Sequence, residues 1–279
     1  MSQTPSPGRN QSLRLPACLF LFCLIGLPGT AASNDTGIGT DPANKRGVAI
    51  AIIIDDMGHN LSRGKRAINL PGDLTYAVLP HTVHSHEPAE EAHRRGKQVI
   101  LHLPMDNLTG FPIGPDGLSR NLSRNELVLT LARAFSQVPH AQGINNHMGS
   151  YLTQLEQPMD WLMEEIKRRK LFFVDSRTTH KTVAQRIATE KNILSSRRDI
   201  FLDNQPEALA IDSAFRQLLT VARRKGTAIG IAHPYAATLD YLERELPLLA
   251  GKDVRLLPAS ALISRQHTME LALMIRPIP

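Results

Sequence analysis

The chain has 279 residues, 42% of them hydrophobic and 21% charged, and a formal charge of +6. That balance is globular and excludes a collagen-like, disordered or acidic-tail protein. Both cysteines, Cys18 and Cys23, lie near the N-terminus. The rest of the chain therefore has no disulfide framework and no thiolate metal site, and a metal there must be held by His, Asp or Glu.

Residues 1–32 read as a secretory signal peptide. Arg9 and Arg14 precede an apolar run from Leu15 to Leu27, and Thr30-Ala31-Ala32 supplies small residues for cleavage. The run is shorter than the roughly 20 residues a membrane span needs, and no later run is longer. The mature chain is therefore expected to have no membrane span. It is expected to work outside the cytoplasm.

Residues 33–46 are polar with Gly and Pro and read as a flexible lead-in. From Gly47 onward, short apolar runs alternate with helical periodicity. The runs are Val48–Ile54, Leu74–Leu79, Val99–Leu103, Gly143–Asn146, Leu171–Val174, Ile193–Leu194, Ala228–Ala232 and Val254–Leu257. The helical patterns are Glu87–Arg95, Arg124–Gln137, Met159–Arg169, Thr182–Glu190, Pro206–Lys225 and Ala237–Leu248. Near-continuous apolar strands between helices predict an α/β fold with buried parallel strands. One domain is expected over 47–265, with a tail over 266–279. Residues 106–122 form the longest loop, and long loops in compact domains are often functional. Basic pairs such as Arg197-Arg198 read as solvated. With 5% aromatic residues, a nucleic-acid partner is not expected.

The polar residues at the ends of these runs point to function. The ends carry Asp55-Asp56, His81, His102 with Asp106, Asn145-Asn146-His147 with Ser150, Asp175, and His233. An open doubly wound sheet uses a few strand ends at a switch point, whereas a barrel gathers all of them at one mouth. The pattern favours a (β/α) barrel with one site at that face. Adjacent carboxylates at a buried strand end need a balancing cation. Neighbouring strand residues point to opposite sides, so one can hold a divalent ion while the other accepts a proton. One carboxylate and two imidazoles make a common hydrolytic metal facet, for which zinc is the default. His233 can serve as a general acid. Asp175 can orient a histidine or bind Arg177. Asp55 with Asp175 also allows a glycosidase pair.

Together Ile52–Gly58 (IIIDDMG), His102–Met105 (HLPM), Gly143–Ser150 (GINNHMGS), Phe173–Ser176 (FVDS) and Gly230–Pro234 (GIAHP) resemble the divergent polysaccharide deacetylase family. The similarity runs from about Arg46 to Ile263. The resemblance implies a distorted (β/α) barrel of about seven strands. It also implies metal-dependent hydrolysis of N- or O-acetyl groups on a glycan. Carried over, Asp55 is the general base, Asp56 a metal ligand and His233 the acid. The superfamily's His-x-x-x-His motif is matched at His102, but its second position is Asp106. Either Asp106 substitutes there or His147 reaches in from the next strand; the second is preferred because it keeps an Asp-His-His ligand set of Asp56, His102 and His147. Asp175 completes the expected catalytic group, and Asn145, Asn146, Ser150, His81 and Asp106 are expected to line the substrate. These departures also allow a protein that kept the barrel and binds glycan without turnover.

Overall fold

The computed structural model describes residues 47–274. The signal peptide, the lead-in and the last five positions of the expected tail lie outside the described residues. The elements in chain order are β1 (Val48–Met57), α1 (Leu61–Ile68), β2 (Thr75–Val78), α2 (His86–Arg94), β3 (Gln98–Met105), α3 (Arg124–Gln137), β4 (Ala141–Met148), α4 (Glu156–Arg168), β5 (Phe172–Asp175), α5 (Ala184–Glu190), β6 (Ser195–Arg197), β7 (Ile200–Phe201), α6 (Ala208–Lys225), β8 (Thr227–Ala232), α7 (Ala236–Glu245), β9 (Val254–Leu256) and α8 (Ala259–Met274). All strand pairs are parallel, in the order β6-β5-β4-β3-β2-β1-β8-β7, with β9 against the start of β1.

The sheet curls until its two edges nearly meet. β6 and β7, at opposite ends of the order, are consecutive in the chain and joined by Arg198-Asp199. The Arg198 amide donates to Asp175 O of β5 and the Asp199 amide to Ile229 O of β8, both at 2.9 Å. The barrel is thus closed by a two-residue stitch. The guanidinium of Arg198 reinforces it, donating to Ser176 O at 2.7 Å and Arg177 O at 2.9 Å. It also lies 3.7 Å from the centre of the Phe201 ring. Arg198 is therefore not the solvated cation expected from its sequence, and burial lowers its pKa to about 10.

Side-chain alternation builds two apolar layers. Ile50, Ile52 and Ile54 of β1 face outward, into a core shared with the surrounding helices. Ala49, Ala51 and Ile53 face inward, with Ala77, Ile100, Val174, Ile229 and Ile231. Strands buried on both faces must read as unbroken apolar runs, as these do. The inner layer is sealed from below by Ala259, Leu262 and Ile263 of α8. The first amides of α8, which no helix can satisfy internally, are taken by Thr75 Oγ1 at 2.9 Å and Gln98 Oε1 at 3.1 Å.

Two helices escaped the sequence reading. α1 buries only Gly64, Ala67 and Ile68, too few for a clear stripe. α8 crosses the expected boundary at 265 because its apolar contacts are confined to its first turns.

Candidate metal centre

The inner-face alternation decides which strand-end residues meet. Continuing upward from Ile53, Ile100, Ile229 and Ile231, the inward positions become Asp55 on β1, His102 on β3 and His233 after β8. The register pairs His102 with Asn145 and Pro104 with His147, which adds Asn145 and His147 of β4. Apolar layers below thus give way to a polar layer at the mouth.

By the same alternation Asp56 should face outward, and the sequence reading placed the two carboxylates on opposite sides. The structure corrects this. The register between β1 and β2 slips between Ile54 and Met57, a bulge that re-aims side chains. Asp56 takes φ 55, and the chain turns through Gly58 at φ 119, where a Cβ would lie 2.3 Å from Thr82 Oγ1. Both carboxylates consequently enter one pocket.

Asp56 Oδ1, His102 Nε2 and His147 Nδ1 converge. The separations are 3.2 Å from Asp56 to His102, 3.0 Å from Asp56 to His147 and 3.1 Å between the imidazoles. Asp56 Oδ1 is buried and has no hydrogen bond of acceptable geometry among the described residues. An ion bonded at about 2.0–2.1 Å by tetrahedral ligands spaces them about 3.3 Å apart. The triangle therefore has the donors and the dimensions of a three-ligand site. An orphaned carboxylate oxygen against two imidazole nitrogens is costly until a cation arrives.

The surrounding hydrogen bonds arrange the triangle. Asn145 donates from Nδ2 to Asp55 Oδ1 at 2.8 Å. Its Oδ1 then faces His102 Nδ1, also at 2.8 Å. His102 thereby carries its proton on Nδ1 and presents a lone pair at Nε2, as a metal-ligating imidazole must. Burial raises the Asp55 pKa despite the nearby charges of His102 and His233. Burial opposes ionisation of Asp56 too, but His102 and His147 outweigh it and hold that group well below the usual carboxylate range. Two adjacent carboxylates pushed in opposite directions suit different tasks, one a base and one a ligand.

Residues 52–263 match the family model described as divergent polysaccharide deacetylase. The chain belongs to the divergent polysaccharide deacetylase family. It is 35% identical over 215 residues to the uncharacterized protein YibQ of Escherichia coli (strain K12), covering 77% of this chain and 67% of that one. It is 34% identical over 201 residues to an uncharacterized protein of Haemophilus influenzae, covering 71% and 72%. The crystal structure of an uncharacterized protein from Agrobacterium tumefaciens C58 matches with a TM-score of 0.75 at 23% identity, over 78% of this chain and 90% of that one. That likeness bears out the expected fold.

In this deacetylase-family chain a residue missed in the sequence completes the mouth. Asp203 Oδ1 lies 2.9 Å from His233 Nδ1, and Asp203 Oδ2 accepts from the His233 amide at 2.6 Å and Thr238 Oγ1 at 2.9 Å. His233 Nε2 faces the cluster, 3.9 Å from Asp56 Oδ2. Burial works against charge on His233, but Asp203, with Asp55 and Asp56, raises its pKa to about 9.

Several expected site residues do other work. Phe172 and Val174 face inward, so alternation turns Asp175 outward. Its Oδ1 accepts from the Arg177 amide and its Oδ2 from Thr182 Oγ1, both at 2.8 Å. It orients no histidine and cannot form a glycosidase pair with Asp55. Asn145 and Asn146 are buried at 0% and 1% exposure, so neither lines substrate. Asn146 also points outward, bonding Met148 O and the Ser176 amide. Asp106 binds Arg120 at 2.7 Å. Ser150 Oγ accepts from the Leu108 amide at 3.1 Å, and His81 Nε2 sits 2.9 Å from Asp116. These three brace the 106–122 loop.

Asn145→Ala is expected to weaken metal affinity by about 10- to 100-fold, the usual cost of removing such an outer partner. Equilibrium dialysis with zinc measures it, and an unchanged affinity would show that the His102 tautomer is set by something else.

Proposed function

We propose that this chain is a metal-dependent deacetylase acting on N- or O-acetyl groups of an envelope or extracellular glycan. The observation that carries the reading is the Asp56–His102–His147 triangle flanked by a base and an acid. Asp55 Oδ2 is on one side, 3.6 Å from His102 Nε2. The His233–Asp203 pair also adjoins the triangle, with His233 Nε2 3.9 Å from Asp56 Oδ2. Asp56, His102 and His147 would hold a divalent ion, zinc by the chemistry of the donor set. When bound, that ion supplies Lewis acidity toward an acyl oxygen and a water molecule.

The chain's own groups supply the proton transfers. Asp55, made more basic by burial, takes a proton from water as its oxygen bonds to the acyl carbon. Asn145 holds the other oxygen of Asp55 in place. His233 gives its Nε2 proton to the departing sugar nitrogen or oxygen as the bond to the acyl carbon breaks. The products are acetate and a free amine or hydroxyl on the sugar. Asp203 keeps the imidazole charged and oriented throughout.

Two exposed aromatic side chains support a glycan. Among the described residues, the exposed aromatic side chains are Phe111 at 65% and Tyr235 at 39%, and both sit on strand-end loops. Tyr235 stacks on His233 with ring centres 5.3 Å apart. Asn107 Nδ2 donates to Phe111 O at 2.7 Å and contacts Met148 Sδ at 3.2 Å, which places that loop beside the His147 strand. Aromatic walls with a few placed polar groups are the usual make-up of such sites. The signal-peptide pattern supports action outside the cytoplasm, in the periplasm or cell envelope.

The test is acetate release from N-acetylated chitin oligosaccharides and O-acetylated xylan by metal-loaded protein. Release that a chelator stops and zinc restores is expected. Binding of these glycans without any release would instead make the chain a non-catalytic glycan-binding protein.

A further inference from the structure

The turn after β5 presents a cation that the reaction above does not use. Arg177 adopts φ 48, a left-handed conformation unfavourable for any residue with a Cβ. Its backbone is clamped on both sides. The amide donates to the buried Asp175 Oδ1 at 2.8 Å, and the carbonyl accepts from Arg198 Nη2 at 2.9 Å. The flanking residues dock the turn on β4. The Ser176 amide donates to Asn146 Oδ1 at 2.9 Å, and Thr178 Oγ1 donates to Met148 O at 2.7 Å. The turn therefore rests on the strand end that carries His147.

All of these bonds go to the backbone. Arg177 is half-buried as a residue, and its guanidinium has no hydrogen bond or ion pair among the described residues. Three other cations of this end of the barrel are committed, while Arg197 and Lys181 are exposed. Arg120 is paired with Asp106 and lies over Tyr151, Arg198 is spent on two carbonyls, and His233 is held by Asp203. Asn or Gly would adopt φ 48 at less cost. A strained backbone that carries an uncommitted guanidinium, on a turn docked against the strand end of His147, points to a ligand for that side chain. A planar fork of N–H donors matches a carboxylate.

We propose that Arg177 recognises a carboxylate on the glycan bound at the metal centre, with Asp175 and Arg198 as the residues that position it. This rests on the glycan reading and narrows the substrate class to an acidic N-acetylated saccharide.

Calorimetry of the zinc-loaded mature chain with two probes tests it. Hyaluronan hexasaccharide alternates N-acetylglucosamine with a carboxylate-bearing sugar, and chitohexaose is its neutral counterpart. The acidic probe is expected to bind roughly tenfold or more tightly, the size of a hydrogen bond to a charged group, and the preference to shrink with added salt. Arg177→Asn is expected to erase the preference while leaving Tm equal or higher, because Asn tolerates the left-handed backbone. Arg177→Lys is expected to keep part of it. Equal affinities in the wild type, or a preference that survives Arg177→Asn, overturn the assignment and leave the glycan reading standing. A lower Tm in Arg177→Asn with the preference unchanged makes Arg177 a structural residue. Binding of neither probe overturns this assignment and the glycan reading together.

Discussion

His147→Ala is expected to lower the metal content of the purified protein from about one equivalent to nearly none. Two remaining donors, Asp56 and His102, are too few for a site that normally needs three protein ligands. Chelator-sensitive acetate release is expected to fall by a factor of about 10³ or more, since both the carbonyl polarisation and the water activation go with the ion. The fold should survive. The His147 side chain is 22% exposed, and its removal leaves no apolar cavity, so the loss of stability should stay within about 1 kcal/mol. The exposed His86 serves as a control, and its replacement by Ala should leave the metal in place. Elemental analysis of the three proteins decides the matter. Full metal content in His147→Ala would move the binding site away from the triangle.

His233→Ala is expected to lower acetate release by about 10²- to 10⁴-fold with the metal retained, the usual range for a lost general acid. Asp203→Asn separates the proton from the ring. In metal-free protein the His233 pKa stands at about 9, above the about 6.5 of a free imidazole. The charged form is therefore favoured by folding. The stabilisation is complete below about pH 6.5 and is lost as pH rises through about 9. Without the Asp203 carboxylate, the pKa should fall by about one pH unit or more toward the free value. NMR titration of the imidazole in chelator reads this directly. An unshifted value in Asp203→Asn would assign the perturbation to Asp55 and Asp56 instead.

Much of the site is visible in the sequence for one reason. Inward positions of a parallel barrel are apolar until the mouth, so Asp55, His102 and His233 end otherwise apolar runs, and His147 closes the polar segment Asn145-Asn146-His147. Asp203 has no such context, because β7 is only two residues long and leaves no run to interrupt. Its signal was the inward alternation from Phe201 to Asp203, which becomes readable only once the β7 strand is known. The bulge at Asp55-Asp56 is equally silent, since nothing in IIIDDMG announces a register slip. Asp175 misled because a strand-end acid was read without the parity of its strand. Asn145, expected to line the substrate, is buried and instead sets a tautomer from beneath the ligands. Arg198 looks like any surface basic pair, and only the closing of the sheet between β6 and β7 buries it.

The helix that seals the lower end of the barrel gives the site a direction. Ala259, Leu262 and Ile263 fill the interior beneath the polar layer, so the polar layer is approached from the strand-end side. Whatever enters between the strand ends must leave by the same route. Under the proposed deacetylation, acetate formed at the polar layer would leave through the same strand-end mouth that receives the glycan.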